Sequence, residues 1–258
     1  MDPTLTGCVI SLALFVAMLL LLELGRRIGI RRMSVDAEGA HVGVGAVNGA
    51  VFSLLGLLLA FAYANASGRF DERRRLVVEE TNDIGTAWLR LDMLAEADQP
   101  ALRDAFRRYV DSRIAIYRAA TEENDLSAYL ERSSRVQSEL WDLGAAACSR
   151  PEGERARLLL LPALNAMIDI TTTRLSMTHM HLPAIVFGML IVLALASALL
   201  AGISMAPGKR RKHLHLILFA ALISAMLYLI IDIEYPRRGL VRIDDFDQML
   251  VDLRRSMD

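Results

Sequence analysis

The sequence predicts an all-α polytopic membrane protein: four transmembrane helices, with a helical bundle inserted between the second and third. Three observations carry that prediction. The 258 residues are 54% hydrophobic, with a mean hydropathy of +0.35, too apolar for an ordinary soluble domain. Charged residues still make up 23%, and they are segregated from the apolar ones along the chain. Four apolar runs, at about 5–24, 44–67, 183–206 and 214–233, each reach the roughly 20 residues that a helix needs to cross a hydrocarbon core.

The first run opens on MDPT, with no basic stretch before it and no small-x-small cleavage site after it. It reads as a retained anchor rather than a signal peptide. The second and fourth runs each close a pair. Short basic connections join the pairs, with Arg26, Arg27, Arg31 and Arg32 in one and Lys209, Arg210, Arg211 and Lys212 in the other. Residues 68–182 keep a helical period. Val77, Ile84, Trp88 and Leu91 share a face, as do Leu102, Phe106, Tyr109, Arg113 and Ile116. Leu126, Tyr129, Val136, Leu140 and Leu143 follow, opened by Asn124; then Leu161, Leu164, Ile168, Thr171 and Leu175, with Pro162 as an expected kink. No Gly/Ser linker separates this segment from the second run. The expected domains are 1–67, a first helix pair; 68–182, the helical domain; 183–235, a second pair; and 236–258, an acidic tail.

Several function classes fall away. A net charge of -1 gives no basic field for nucleic acid. The two cysteines, Cys8 and Cys148, lack metal spacing. No Gly-x-Ser-x-Gly, phosphate-binding glycine loop or zinc-helix motif is present, so neither an enzyme nor a cofactor is expected. The pairs His179/His181 and His213/His215 stand two residues apart, and on a helix such residues do not face each other. They read as interfacial histidines.

The second run is the most informative. Gly45, Gly49, Ser53, Gly56, Ala60 and Ala64 recur every three or four residues, a spacing that lets helix backbones approach closely in a membrane. Two readings stay open for Gly45, Gly49, Gly56 and Ala60: tight packing inside one subunit, or contact around an oligomer axis. Asn48, Tyr63 and Asn65 add polar groups that need protein or water beside them.

Laid out in full, Phe61-x7-Arg69-Phe70-x-Glu72-x-Arg74-x-Leu76-x5-Asn82 resembles the bestrophin signature. After the last apolar run, Glu234-Tyr235-Pro236-x2-Gly239 followed by Asp244-Asp245 is similar to that family's Pro-Phe-Gly turn and acidic stretch. The layout of two helices, helical domain, two helices and acidic tail is also similar to that of bacterial bestrophin-like membrane proteins. The resemblance implies a homopentameric channel for small inorganic ions, with the second helix of each copy lining the pore. By offset it places a hydrophobic neck at Ser53, Leu57 and Phe61, with Asn65 just beyond. It departs from the family in lacking the pore-helix proline, in the polar Ser53 and in Asp71, where the family has an aromatic.

Arg69, Glu72, Arg73 and Glu80 are then expected as vestibule charges of opposed sign. Asp244, Asp245 and Asp247 are oxygen ligands of the type that calcium takes, but without a matching loop pattern a solvated acidic turn is the preferred reading and no metal is expected. The basic short connections lean towards an outside placement of the middle segment. The resemblance implies the cytoplasm for that domain and both termini, in a cell (inner) membrane, with lipid and further copies of the chain as partners. The alternative is a non-conducting membrane scaffold or sensor that binds partners through its helical domain.

Overall fold

The computed structural model describes residues 3–35, 44–121, 125–206, 213–237 and 239–258. Among the described residues it is all helical, with no strand. Eight α-helices follow in order: α1 Pro3–Val35, α2 Val44–Arg90, α3 Gln99–Thr121, α4 Ser127–Cys148, α5 Glu154–His179, α6 Ala184–Ser204, α7 His213–Glu234 and α8 Asp244–Arg255. Four helical stretches are long and apolar enough to cross a membrane: Thr4–Ser34, Gly45–Met93, Pro151–Ser204 and Leu214–Glu234. The second basic connection, Lys209 to Lys212, lies outside the described residues, as does Asn124.

The chain forms two compact units. The first holds Met1–Arg69 and His181–Val241; the second holds Phe70–Met180 and Arg242–Asp258. In the first unit α1 packs against α6 and α7. Small residues set that approach. A Cβ added at Gly25 would overlap the carbonyl oxygen of Leu199, and one at Gly202 the carbonyl oxygen of Leu22. Gly29 closes on Ile203 and Ala206 in the same way. Along α6, Leu190, Ala194, Ser197, Ala198, Ala201 and Gly202 form the buried stripe. Without a hydrophobic force between apolar helices, such backbone proximity supplies the dispersion contact. The start of α2 joins through side chains. Asn48 Nδ2 donates to Ser204 Oγ, and Phe52 meets Phe219 edge to face at 6.0 Å.

The turn after α7 is closed by a carboxylate. Asp232 accepts the backbone N–H of Leu240 on both oxygens at 2.9 Å, and that of Val241 at 3.0 Å. A Cβ at Gly239 would sit 2.5 Å from Asp232 Oδ1, so the residue there must lack one.

In the second unit, α3 packs on α4 and α8, and α4 packs on α5. Ile84, Leu91, Phe106, Tyr109, Leu140, Leu160, Leu164 and Met167 fill its core. Trp88 stands edge-on to Phe106 at 6.0 Å, under the guanidinium of Arg103 at 4.6 Å. Helix α5 continues through Pro162; one turn earlier, the Leu159 carbonyl accepts from Arg90 Nη1 at 2.6 Å. The C-terminal segment is built in as α8. Leu250 and Met257 are buried, Arg107 donates to the Met257 carbonyl at 2.7 and 2.9 Å, and Arg254 pairs with Asp111 at 2.9 Å.

Overpacking a tight contact costs about 1–3 kcal/mol or more when the obstacle is backbone. Gly202→Val is therefore expected to lower thermal stability in detergent by at least that amount. Gly188→Ala, on the same helix with open space at its Cβ, is expected to leave it unchanged.

Candidate functional site: the two faces of helix α2

Helix α2 runs unbroken for 47 residues, and its two faces differ along the whole length. At 3.6 residues per turn, one stripe is buried: Asn48, Leu55, Leu59, Ala62, Ala66, Arg73, Leu76, Val77, Glu80, Ile84 and Ala87. The opposite stripe is open: Ala46, Ala50, Ser53, Leu57, Phe61, Ala64, Gly68, Asp71, Arg75, Asn82, Thr86 and Leu89 are exposed. Leu57 is 52% exposed and Phe61 56%, a large apolar area to leave uncovered on both. Asn65, also exposed, turns its Nδ2 back to the Phe61 carbonyl at 2.8 Å. Gly45, Gly49 and Gly56 meet nothing within 4 Å of an added Cβ, and Ala60 is exposed. These four lie roughly a quarter turn from Leu57 around the helix.

The charges expected from the sequence divide between the faces. Arg69 donates from Nε (3.1 Å) and Nη2 to Glu234 Oε1. Arg73 is buried and donates to the carbonyls of Met177 at 3.3 Å and Met180 at 2.8 Å. Glu72, half-exposed, pairs with Arg75 at 2.6 Å. Glu80 is 0% exposed. Its Oε1 takes Arg113 Nε at 2.6 Å; its Oε2 takes the Tyr117 hydroxyl at 2.6 Å and Arg174 Nη1. The Arg174 guanidinium also lies 4.3 Å from the Tyr117 ring centroid.

Burial alone pushes the Glu80 carboxyl up. The charges of Arg113 and Arg174, with the hydrogen bonds from Arg113 and Tyr117, outweigh it and hold the group at about 2. Burial pushes the Tyr117 phenol up, and the neighbouring Glu80 carboxylate adds to that. On the open face, burial and then the charges of Glu79 and Glu80 push the Asp83 carboxyl up.

Sequence reasoning placed Arg113 on an apolar face without naming a partner. A cation on a buried face demands a carboxylate, and that was the available signal for Glu80 and Arg174. Asp71, Arg75, Glu79 and Asp83 were legible too, by extending the period of Leu57 and Phe61 past Gly68. The side chains of Asp244 and Asp245 lie outside the described residues, and among those described no cluster of His, Cys, Asp or Glu could hold a metal ion.

Removing one partner of a buried ion pair costs about 3–5 kcal/mol, so Glu80→Gln, which leaves Arg113 and Arg174 uncompensated, is expected to lower thermal stability by that order. The Glu80 carboxyl is held below its ordinary value, so its contribution is complete above roughly pH 4.5 and is lost as pH falls towards 2. The difference in melting temperature between wild type and Glu80→Gln should therefore shrink across that window.

The family model described as Bestrophin-like domain matches residues 9–246. Among solved structures, the chain is similar to crystal structures of a bacterial bestrophin homologue from Klebsiella pneumoniae. An isoleucine-to-threonine variant matches at TM-score 0.67 and 15% identity, covering 93% of this chain and 98% of that one. A tryptophan-to-alanine variant matches at TM-score 0.66 and 15% identity, covering 95% and 98%. A tyrosine-to-alanine variant matches at TM-score 0.64 and 16% identity, covering 92% and 98%. No curated protein matches. With the family match covering most of the chain, the four apolar helices and the fold agree: this is a membrane protein of the Bestrophin-like family.

Proposed function

We propose that this protein is an oligomeric ion channel in which copies of α2 stand around a common axis, their open stripes turned to the pore. The observation that carries the reading is the uncovered stripe itself. Leu57 and Phe61 are exposed one helical turn apart on a face that is apolar there and charged further on. Stacked rings of Leu57 and Phe61, about 6 Å apart along the axis, form a neck that gates by dewetting, with Ser53 before it and Asn65 after it. Gly45, Gly49, Gly56 and Ala60, open and a quarter turn away, are where a neighbouring copy's backbone comes close. We take the assembly as a homopentamer in the cell membrane. Residues 68–182 form the wet domain between the helix pairs at 1–67 and 183–235, on the cytoplasmic side with both termini.

The ion class follows from the charges left on the open face. Arg69, Arg73 and Glu80 are spent on intrachain partners. Asp71, Glu72, Glu79 and Asp83 remain against Arg74 and Arg75, which pair with Asp71 at 3.3 Å and with Glu72 and Glu79 at 2.6–2.7 Å. Carboxylates outnumber guanidiniums, and repetition around an axis multiplies the excess. Such a lining concentrates cations.

Reconstitution of the purified protein into planar bilayers tests the reading. Phe61→Ala is expected to raise current about tenfold, the effect of roughly 1.4 kcal/mol off a barrier at the neck. Purified oligomers that stay silent with and without this substitution would instead support a non-conducting scaffold. Under a salt gradient the reversal potential should lie on the cation side, and Glu79→Gln with Asp83→Asn should move it towards zero. Acidification should do the same, because burial and the charges of Glu79 and Glu80 raise the Asp83 carboxyl above its ordinary value.

A further inference from the structure

The arginines that end α1 have no part in the pore, and the phase of the helix gives them a partner. Helix α1 packs on α6 and α7. One stripe is spent on that packing: Gly7, Leu14, Met18, Leu22, Gly25 and Gly29 are buried. The opposite stripe is uncovered and apolar. Leu5, Val9, Leu12, Val16, Leu20 and Leu24, three or four residues apart, are all exposed. From Leu5 to Leu24 the helix rises about 28 Å, close to the roughly 30 Å of a hydrocarbon core. In a membrane protein an apolar stripe of that length faces lipid tails.

The chemistry of the stripe then changes. Its next two positions are Arg27 and Arg31, both exposed and each within about 20° of Leu20 around the helix. They stand one and two turns past Leu24. Helical side chains lean towards the N-terminus, so both guanidiniums reach back to the level where the phosphates of a leaflet begin. Between residues 23 and 34, Glu23 is the one acid beside Arg26, Arg27, Arg31 and Arg32. It takes Arg26 at 2.9 and 3.0 Å and Arg27 Nε at 3.0 Å. One of the four positive charges is thereby cancelled and three remain. Arg31 and Arg32 make no ion pair among the described residues. A phosphodiester suits this arrangement, because guanidiniums bond phosphate oxygens in pairs. A zwitterionic headgroup brings its own cation beside the phosphate, whereas an anionic one does not. The excess of positive charge selects the anionic class.

We propose that Arg27 and Arg31, where the lipid-facing stripe of α1 leaves the hydrocarbon, form a binding site for the phosphate of an anionic phospholipid. The site lies at the level of the tightest helix contact in the first unit. There Gly25 and Gly29, on the buried face, close on Leu199 and Ile203 of α6. A bound headgroup holds the end of α1 at a fixed depth and so secures that contact. The site requires that the first unit span the membrane, not that α2 line a pore. Silence in planar bilayers would leave it standing.

The test uses full-length protein in a neutral detergent with added dioleoylphosphatidylglycerol, dioleoylphosphatidylcholine or inorganic phosphate. Bound lipid is counted by native mass spectrometry, and thermal melting is followed in parallel. Wild type is expected to retain phosphatidylglycerol about tenfold over phosphatidylcholine, the effect of two arginines at an anionic surface. It should also melt about 3 °C higher or more with the anionic lipid. Arg27→Gln with Arg31→Gln should lower the preference about fivefold or more and abolish the gain in melting temperature. Arg155→Gln with Arg157→Gln, exposed positions of the second unit, should behave as wild type. Salt at about 0.5 M should weaken the preference of wild type, as for any exposed charge. Equal retention of the two lipids by wild type, a preference that survives the Arg27 and Arg31 substitutions, or an equal gain from inorganic phosphate would each overturn the site. The lipid count reads binding rather than stability, so it decides even where the substituted protein melts lower.

Discussion

A carboxylate without contact with water is tolerable only when opposite charge replaces the water it has lost. Glu80 meets that demand with two guanidiniums and a phenol, and the arrangement of the second unit follows from it. Arg113 must come from α3 and Arg174 from α5, so both helices are obliged to approach α2 at this level, in fixed rotation. The apolar core around Phe106, Tyr109 and Leu164 supplies most of the burial, yet apolar packing alone tolerates small slips in register. The ion cluster does not, because a slip of one residue on any of the three helices would strand a charge. Other polar groups of α2 also meet partners: the Asn48 amide donates to Ser204, and the half-buried Arg69 donates to Glu234.

How far this could be read in advance depends on what kind of information each feature needs. The four apolar runs and the helical period of the middle segment are local properties, and the helices appear where composition and spacing place them. The continuity of α2 from Val44 to Arg90 was legible because no proline and only the single glycine Gly68 stand between Ser67 and Asp71. The phase of the helix was legible too: Leu57 and Phe61 share a stripe by arithmetic, and Glu80 falls opposite them. Pairing was not. In Arg73-Arg74-Arg75 the three side chains are chemically identical, but Arg73 is buried on carbonyl oxygens while Arg75 lies in the open between Glu72 and Glu79. Only the position of distant elements decides that difference.

The glycines make the same point in another way. Gly45, Gly49 and Gly56 of α2 stand out in the sequence through their regular spacing, yet a Cβ added at any of them would meet nothing within 4 Å. The ones that bring helices together, Gly25, Gly29 and Gly202, lie on two distant helices, and the single Gly25-x3-Gly29 spacing on α1 does not say that Gly202 and Leu199 on α6 meet it. Spacing marks a smooth helix surface; it does not say which surface meets it. A smooth surface that the chain itself leaves bare is consistent with association between copies, whereas the α1–α6 contact belongs to the fold of one copy.

The Asp232 carboxylate grips main-chain nitrogen, and this sets what can drift in the turn that follows. Leu240 and Val241 contribute only their N–H groups to it, so their side chains are free to vary as the family diverges, while an acid at 232 and a bare Cα at 239 are bound to change together or not at all. Distant relatives that have lost every residue between them should still betray this corner by that acid–glycine couple.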